Sequence, residues 1–307
     1  MTSLPPPGTD DPLTGPELPD LGAVAEIAES REGARRFWRT FLADRWAVAG
    51  LVFLVVMVVA AIFAPLVAPL NPSTQDLLAI NAPPSLHHLL GTDDLGRDVW
   101  AETVFGTRVS LAVGLSTALV GSLIGVAVGA AAGWWGSLPD AVLMRVTEFF
   151  QTLPRLVLAL IVIALFGPGI AKVIVVITVL AWPQTARVVR ASVATLRSAP
   201  FVDAARVGGM PAGALVVREI LPNVLAPVVV LAALDVATAI LLESGLGFFG
   251  LGDPNLVSWG AMLNEAQQYL RSAWWMAVFP GAAIAATVLA FNRLGDALNA
   301  AARPRSA

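Results

Sequence analysis

Two acids, Asp235 and Glu243, stand inside an apolar run covering residues 222–247. A carboxylate at membrane depth is costly and faces protein interior or water. Eight residues apart, the two fall on roughly one side of a helix, so both could line a polar pathway. Asp235 lies near the middle of the run. Glu243 lies near its end, where it could simply be solvated or cap a neighbouring element. An ion or proton relay would need further partners, and no histidine is close. The two histidines, His87 and His88, are adjacent and point different ways on a helix, with no third ligand in view. Asp93 and Asp94 suggest a calcium loop, but Leu95 and Arg97 interrupt the alternating oxygen ligands such a loop requires. No metal site is expected.

Other chemistries are excluded by missing residues. A phosphate-binding loop needs G-x-x-x-x-G-K-[ST], because its lysine reaches the phosphates. The single lysine, Lys172, has no glycine before it and no Ser or Thr after it. With no cysteine, thiol chemistry and cysteine-ligated clusters are unavailable. No Ser-His-Asp signature, HExxH motif or dinucleotide fingerprint is recognisable. The chain therefore carries no expected catalytic residue and is not expected to be an enzyme. Any hydrolysis of ATP would belong to another chain.

The remaining polar feature is an island at residues 198–223, SAPFVDAARVGGMPAGALVVREILPN. It reads as two short helices joined at a glycine pair. Ser198 is a plausible N-cap, and Pro200 suits a first helical turn. Asp203 lies in reach of that helix's positive end. Gly208 and Gly209 suit a sharply turning C-terminus, and Pro211 can start the second helix. Such an element is a docking device.

The elements that must hold these residues are membrane spans. The chain has 307 residues, 57% of them hydrophobic and 13% charged. Soluble domains carry about 25% charged residues. The expected fold is all-α, a polytopic membrane protein. About 20 apolar residues cross a bilayer as a helix. Six runs qualify, at approximately 46–70, 108–133, 149–166, 169–188, 222–247 and 274–295. The third and fourth meet in a tight hairpin at Gly167-Pro168-Gly169. Only Arg97, Arg108, Lys172 and Arg271 fall on one side of this arrangement, and the other basic residues fall opposite. By the positive-inside rule both termini and the island are cytoplasmic. Gly121, Gly125, Gly129 and Gly133 form a stripe for close helix packing, with a moving interface as its alternative use. Residues 1–30 hold Asp10, Asp11, Glu17, Asp20, Glu26 and Glu29 but no basic residue, which explains the net charge of −3. They are expected to be a disordered acidic tail. Residues 31–45 mix arginines with Phe37, Trp38, Phe41 and Leu42, as an interfacial amphipathic helix would; a simple positive flank is the equal alternative. Residues 46–305 are the transmembrane domain.

The spacing in the island resembles a known motif. Asp203-Ala204-Ala205, then Gly209, then Ile220-Leu221-Pro222 is similar to the EAA motif of ABC-importer permeases, with Asp203 where that motif has Glu. The wider chain, over about residues 35–305, resembles the C-type permease subunit of dipeptide, oligopeptide and nickel importers. Gly91-Thr92-Asp93, Leu95-Gly96-Arg97-Asp98, Gly247-Phe248-Phe249-Gly250-Leu251-Gly252, Ser258-Trp259-Gly260 and Leu294-Gly295-Asp296 support it. The resemblance implies a type I ABC-importer architecture in a bacterial or archaeal inner membrane. It implies that the island, through Asp203, Ala204, Ala205, Gly209, Ile220, Leu221 and Pro222, couples to an ATP-binding subunit. The implied partners are a second permease subunit, two ATP-binding subunits carrying ATP and Mg, an extracytoplasmic substrate-binding protein and the lipid bilayer, with no nucleic acid. Di- or oligopeptides are the implied cargo. An ion-gradient-driven secondary transporter using Asp235, and a non-transport scaffold, are the competing readings.

Overall fold

A computed structural model describes residues 35 and 37–302. The acidic segment 1–30 and most of 31–36 lie outside the described residues. Every named element is helical, and the only extended pairing among the described residues is one isolated bridge between Thr92 and Asp98.

Helix α1 (37–43) precedes α2 (Arg45–Ile62). Asp44 separates them by accepting from the backbone N–H groups of Trp46 (2.9 Å) and Ala47 (3.2 Å), an N-cap at the start of α2. The aromatic residues of α1 do not all face outward. Phe41 is buried against Ala47 and Ala297, while Trp38 stays exposed. The first span ends earlier than the expected 46–70. Pro65 cannot continue the hydrogen-bond ladder, so α2 stops at Ile62 and one turn, α3 (Ala64–Val67), follows. Arg108 closes this end of α2 by donating to the carbonyls of Ala61 and Ile62.

Helix α4 (Val99–Trp135) has 37 residues, about 55 Å, and extends well beyond the expected 108–133. Asp98 caps it by accepting from Ala101 N–H at 2.8 Å. The third span departs most from expectation. It is a bent pair, α5 (Ser137–Thr152) and α6 (Arg155–Phe166), meeting at 83°. Proline has no N–H to donate and pushes the residue before it out of helical geometry, so Leu153 is extended (φ −79°, ψ 131°) and the helix breaks at Pro154. The 12 residues of α6 span only about 18 Å. The hairpin at residues 167–169 is as expected, with Gly167 (φ +80°) and Gly169 (φ +145°) in conformations open to glycine. Lys172 Nζ donates to the carbonyls of Phe166, Gly167 and Pro168 and so caps the end of α6.

Helix α7 (Ile170–Leu196) lies along α4 in the most extensive helix contact. The glycine stripe makes that approach. A β-carbon on Gly125 would sit 2.7 Å from Thr185 Cβ, and one on Gly129 would sit 2.4 Å from the Ala186 carbonyl oxygen. Those glycines are packing residues, as small residues are in lipid, where close van der Waals contact replaces the hydrophobic drive. The bundle is completed by α10 (Leu221–Phe248) and α12 (Trp275–Ala302), with short α11 (Trp259–Ala266) between them. α10 packs on α4 at Gly114 and on α12 at Gly295. The apolar side chains of α2, such as Val52, Val55 and Val59, remain exposed at the periphery. Among the described residues, five helices are long and apolar enough to cross a membrane, six when the bent pair is one span.

Candidate functional site

The island is built differently from two short helices. Its first half is one helix, α8 (Pro200–Val207). The N-cap is Ala199, not Ser198, and it lacks a side-chain cap. Pro200 fixes the first helical position, which leaves Ser198 outside it. Ser198 Oγ instead donates back to Thr195 O at 3.2 Å. The second half is no separate helix. A single turn, α9 (Ala212–Ala214), leads through a π-helical segment (Leu215–Ile220) directly into α10. Pro222 supplies the reason. It cannot donate to the carbonyl of Arg218, and the wider turn lets Leu221 N–H reach Val216 O. Asn223 Nδ2 takes up the Glu219 carbonyl at 2.6 Å.

Between the halves the chain reverses in a Schellman motif. Met210 N–H donates to Ala205 O (3.1 Å) and Gly209 N–H to Arg206 O (3.0 Å). Gly209 takes φ +84°, whereas Gly208 is at φ −66°. Only Gly209 of the pair therefore needs to be glycine. Val202 is the anchor. It is fully buried with Val189 and Val193 of α7, Leu215 and Ile220. Ile220 thus supports α8 from beneath, while Leu221 is half-buried against the same cluster. Pro222, Asp203 and Ala204 are exposed, and Ala205 is half-buried. The outer face of α8 presents Phe201, Ala204 and Val207, the last 91% exposed. Asp203 accepts from Arg206 Nη1 at 2.8 Å, an exposed pair that sets orientation more than stability. The foundation of α8 is braced by Arg190 of α7, bidentate on Asp140 of α5, and by Arg197 Nη1 donating to Trp134 O at 2.7 Å.

The two acids of α10 are both buried, with different partners. Glu243 accepts from Ser110 Oγ of α4 at 3.1 Å and lies beside Ser244. It is engaged in helix packing. Asp235, 7% exposed, shares a small cavity with Arg155 at the start of α6. Arg155 was not singled out from sequence as a pathway residue, because 149–166 reads there as one span.

At the end of the bundle opposite α8, the segment 91–98 forms a clasp. Arg97 pairs with Asp93, with Glu102 (3.2 Å) and with Glu265 of α11. Asp93 also accepts from the N–H groups of Leu95 (2.9 Å) and Arg97 (2.7 Å). Burial pushes the Glu265 carboxyl above its ordinary pKa, against the pull of Arg97. Asp253 is held below the ordinary carboxylate range by the N–H groups of Asn255 and Ile170. His88 Nδ1 lies 2.9 Å from Asp98 Oδ2, and His87 is exposed. Trp275 Nε1 donates to Thr92 O at 2.9 Å, and the buried Trp259 donates to Thr103 O at 3.0 Å. Asp93, Glu102 and Glu265 share Arg97 in this clasp, while Asp94 Oδ1 is buried without a hydrogen-bond partner.

The family described as binding-protein-dependent transport system inner membrane component matches residues 121–307, which include α5 to α12 and the last 15 residues of α4. The N-terminal TM domain of oligopeptide transport permease C matches residues 34–84. The dipeptide transport system permease protein DppC of Escherichia coli strain K12 is 44% identical over 278 residues, covering 88% of this chain and 93% of that protein. A putative peptide transport system permease protein of Brucella suis is 38% identical over 94% of this chain and 95% of its own length. The di/tripeptide transport system permease protein DppC of Pseudomonas aeruginosa is 37% identical over 88% of this chain and 92% of its own. The chain belongs to the family of inner membrane components of binding-protein-dependent transport systems, as a C-type permease subunit of an ABC importer.

Proposed function

We propose that this subunit forms half of a peptide translocation pathway and is driven by separate ATP-binding subunits seated on α8. The carrying observation is the build of α8. It is a short helix pinned by Val202 on one side, closed by the Gly209 turn, and apolar on its free face at Phe201, Ala204 and Val207. A free apolar face on a rigid foundation suits a cleft in a partner. Movement of that partner would then reach α7 and α10 through the same buried cluster. ATP and Mg would sit on the partner, since no residue here forms a phosphate loop. Both termini would be cytoplasmic, on the side of α8. A second permease subunit would complete the pathway, and an extracytoplasmic binding protein would dock over the Arg97 clasp. Di- and tripeptides are the favoured cargo, because that is what the named relatives carry.

The test is uptake of labelled dialanine by the complex in vesicles, with and without the ATP-binding subunits. We expect uptake only with those subunits and ATP. Uptake that persists without them and follows an ion gradient supports the secondary-transporter reading, with Asp235 as coupling acid.

A further inference from the structure

The break between α5 and α6 places charges at a depth where a membrane protein can hardly afford them. The residues Leu153 and Pro154 interrupt the span, and α6 begins about 18 Å below its opposite end at Gly167. Asp235 lies about 20 Å below the corresponding end of α10. The two features therefore meet at one level, well inside the bilayer. Irregular backbone at such depth is tolerated where it is buried in protein or lines a polar cavity.

Here the residue that follows the break, Arg155, lines a cavity. Arg155 and Asp235 both face it. Among the described residues, no ion pair within 4.0 Å closes these two charges on each other. α6 has no side-chain cap, so its first N–H groups have no acceptor of their own. Beside Asp235 stands Thr185 of α7, wholly buried, its hydroxyl turned toward the Asp235 carboxylate and without another partner. The result is a bipolar site. One pole is the positive helix end with Arg155, and the other is the Asp235 carboxylate with the Thr185 hydroxyl beside it.

We propose that Arg155 with the N-terminus of α6 and Asp235 with Thr185 form a transit site for a zwitterion, taking the carboxylate end of a peptide at Arg155 and its ammonium end at Asp235. This rests on the reading of the chain as half of a peptide pathway. Side chains differ from one peptide to the next, but the two charged termini are constant. A pathway for varied cargo therefore gains most from two fixed charges of opposite sign. In the present conformation the cavity holds no more than about one water molecule, so the site is closed. The break at Pro154 lets α6 swing from α10 to open it. Discontinuous helices serve substrate in this manner elsewhere in membranes.

The experiment uses the whole complex with its binding protein, reconstituted in vesicles, with partner subunits free of cysteine. Asp235→Asn should lower dialanine uptake at least about tenfold, as the loss of one charge-assisted hydrogen bond would. ATP hydrolysis stimulated by the binding protein should stay near wild type, and Asp235→Glu should recover most uptake. Unchanged uptake in both Asp235→Asn and Arg155→Gln overturns the proposal. A second arm does not depend on uptake. This chain has no cysteine, so Thr238→Cys in the same cavity is a unique label site. During turnover it should react with a cationic methanethiosulfonate faster than with an anionic one, and Asp235→Asn should abolish the preference. No labelling in any state, or no charge preference, overturns the site. Absence of dialanine uptake by the wild-type complex would sink the peptide reading instead, and the labelling arm would then decide the site alone.

Discussion

Gly129 and Gly209 are both glycine for opposite reasons, and the difference is measurable. A β-carbon on Gly129 collides with the Ala186 carbonyl, part of α7 itself. At Gly209 nothing lies within 4 Å, but φ is +84°. Gly129→Val should push α4 from α7, at a cost of about 1–3 kcal/mol or more, and lower the amount of assembled complex. Gly209→Val should leave membrane insertion and assembly intact. Its left-handed backbone costs about 1–2 kcal/mol, which loosens the α8 turn. Thermal unfolding in detergent separates the first effect, and uptake per ATP hydrolysed separates the second. Normal coupling in Gly209→Val would contradict the rigid-turn account. At this scale the sequence was partly legible. The four-residue glycine spacing announced close packing, and Asp203 to Pro222 announced the island. Ser198 misled because a serine before a proline looks like a cap, yet proline itself moved the cap to Ala199. Gly208 looked equivalent to Gly209, since spacing alone does not say which glycine takes positive φ.

Elements were legible wherever apolar length alone decides, and less so where proline does. The runs of α7, α10 and α12 could be read directly. The third span could not, because composition over 149–166 is continuous while Pro154 bends the backbone by 83°. The π-helical entry to α10 has the same origin at Pro222. Pairings across elements were invisible from order alone: Arg97 meets Glu265, and Arg190 meets Asp140, only after folding. The Arg97 clasp gives a prediction at this scale. Arg97→Gln leaves Asp93, Glu102 and Glu265 close together without their cation. Removing one partner of a buried pair costs on the order of 3–5 kcal/mol, and less here because Glu265 is part-exposed. The sign with pH is definite. A carboxyl whose folded pKa is raised, as that of Glu265 is, favours folding below its unfolded pKa and loses that contribution as pH rises through the folded value. The variant should therefore regain melting temperature on acidification from neutral pH, more than wild type does. An equal response in both would remove the clasp from the account.

The whole molecule is a bundle whose two ends do different work. The end at α11 is knitted by Arg97, Trp275 and Trp259 into one cap over the loops. The end at α8 is a short helix seated on a cluster shared by α7 and α10, and on the reading proposed above it would act there as a lever. Between them lies the 83° bend of α5 and α6 at Pro154. The central claim is that α8 is where an ATP-binding subunit docks and drives this bundle. The most direct measurement is site-specific crosslinking, made clean by the absence of native cysteine. Val207→Cys on the free face of α8 should crosslink to the ATP-binding subunit in the assembled complex, with a yield that changes on ATP binding. Leu256→Cys, at the opposite end, should not. No crosslink from Val207→Cys in a complex that hydrolyses ATP and takes up cargo would contradict the account.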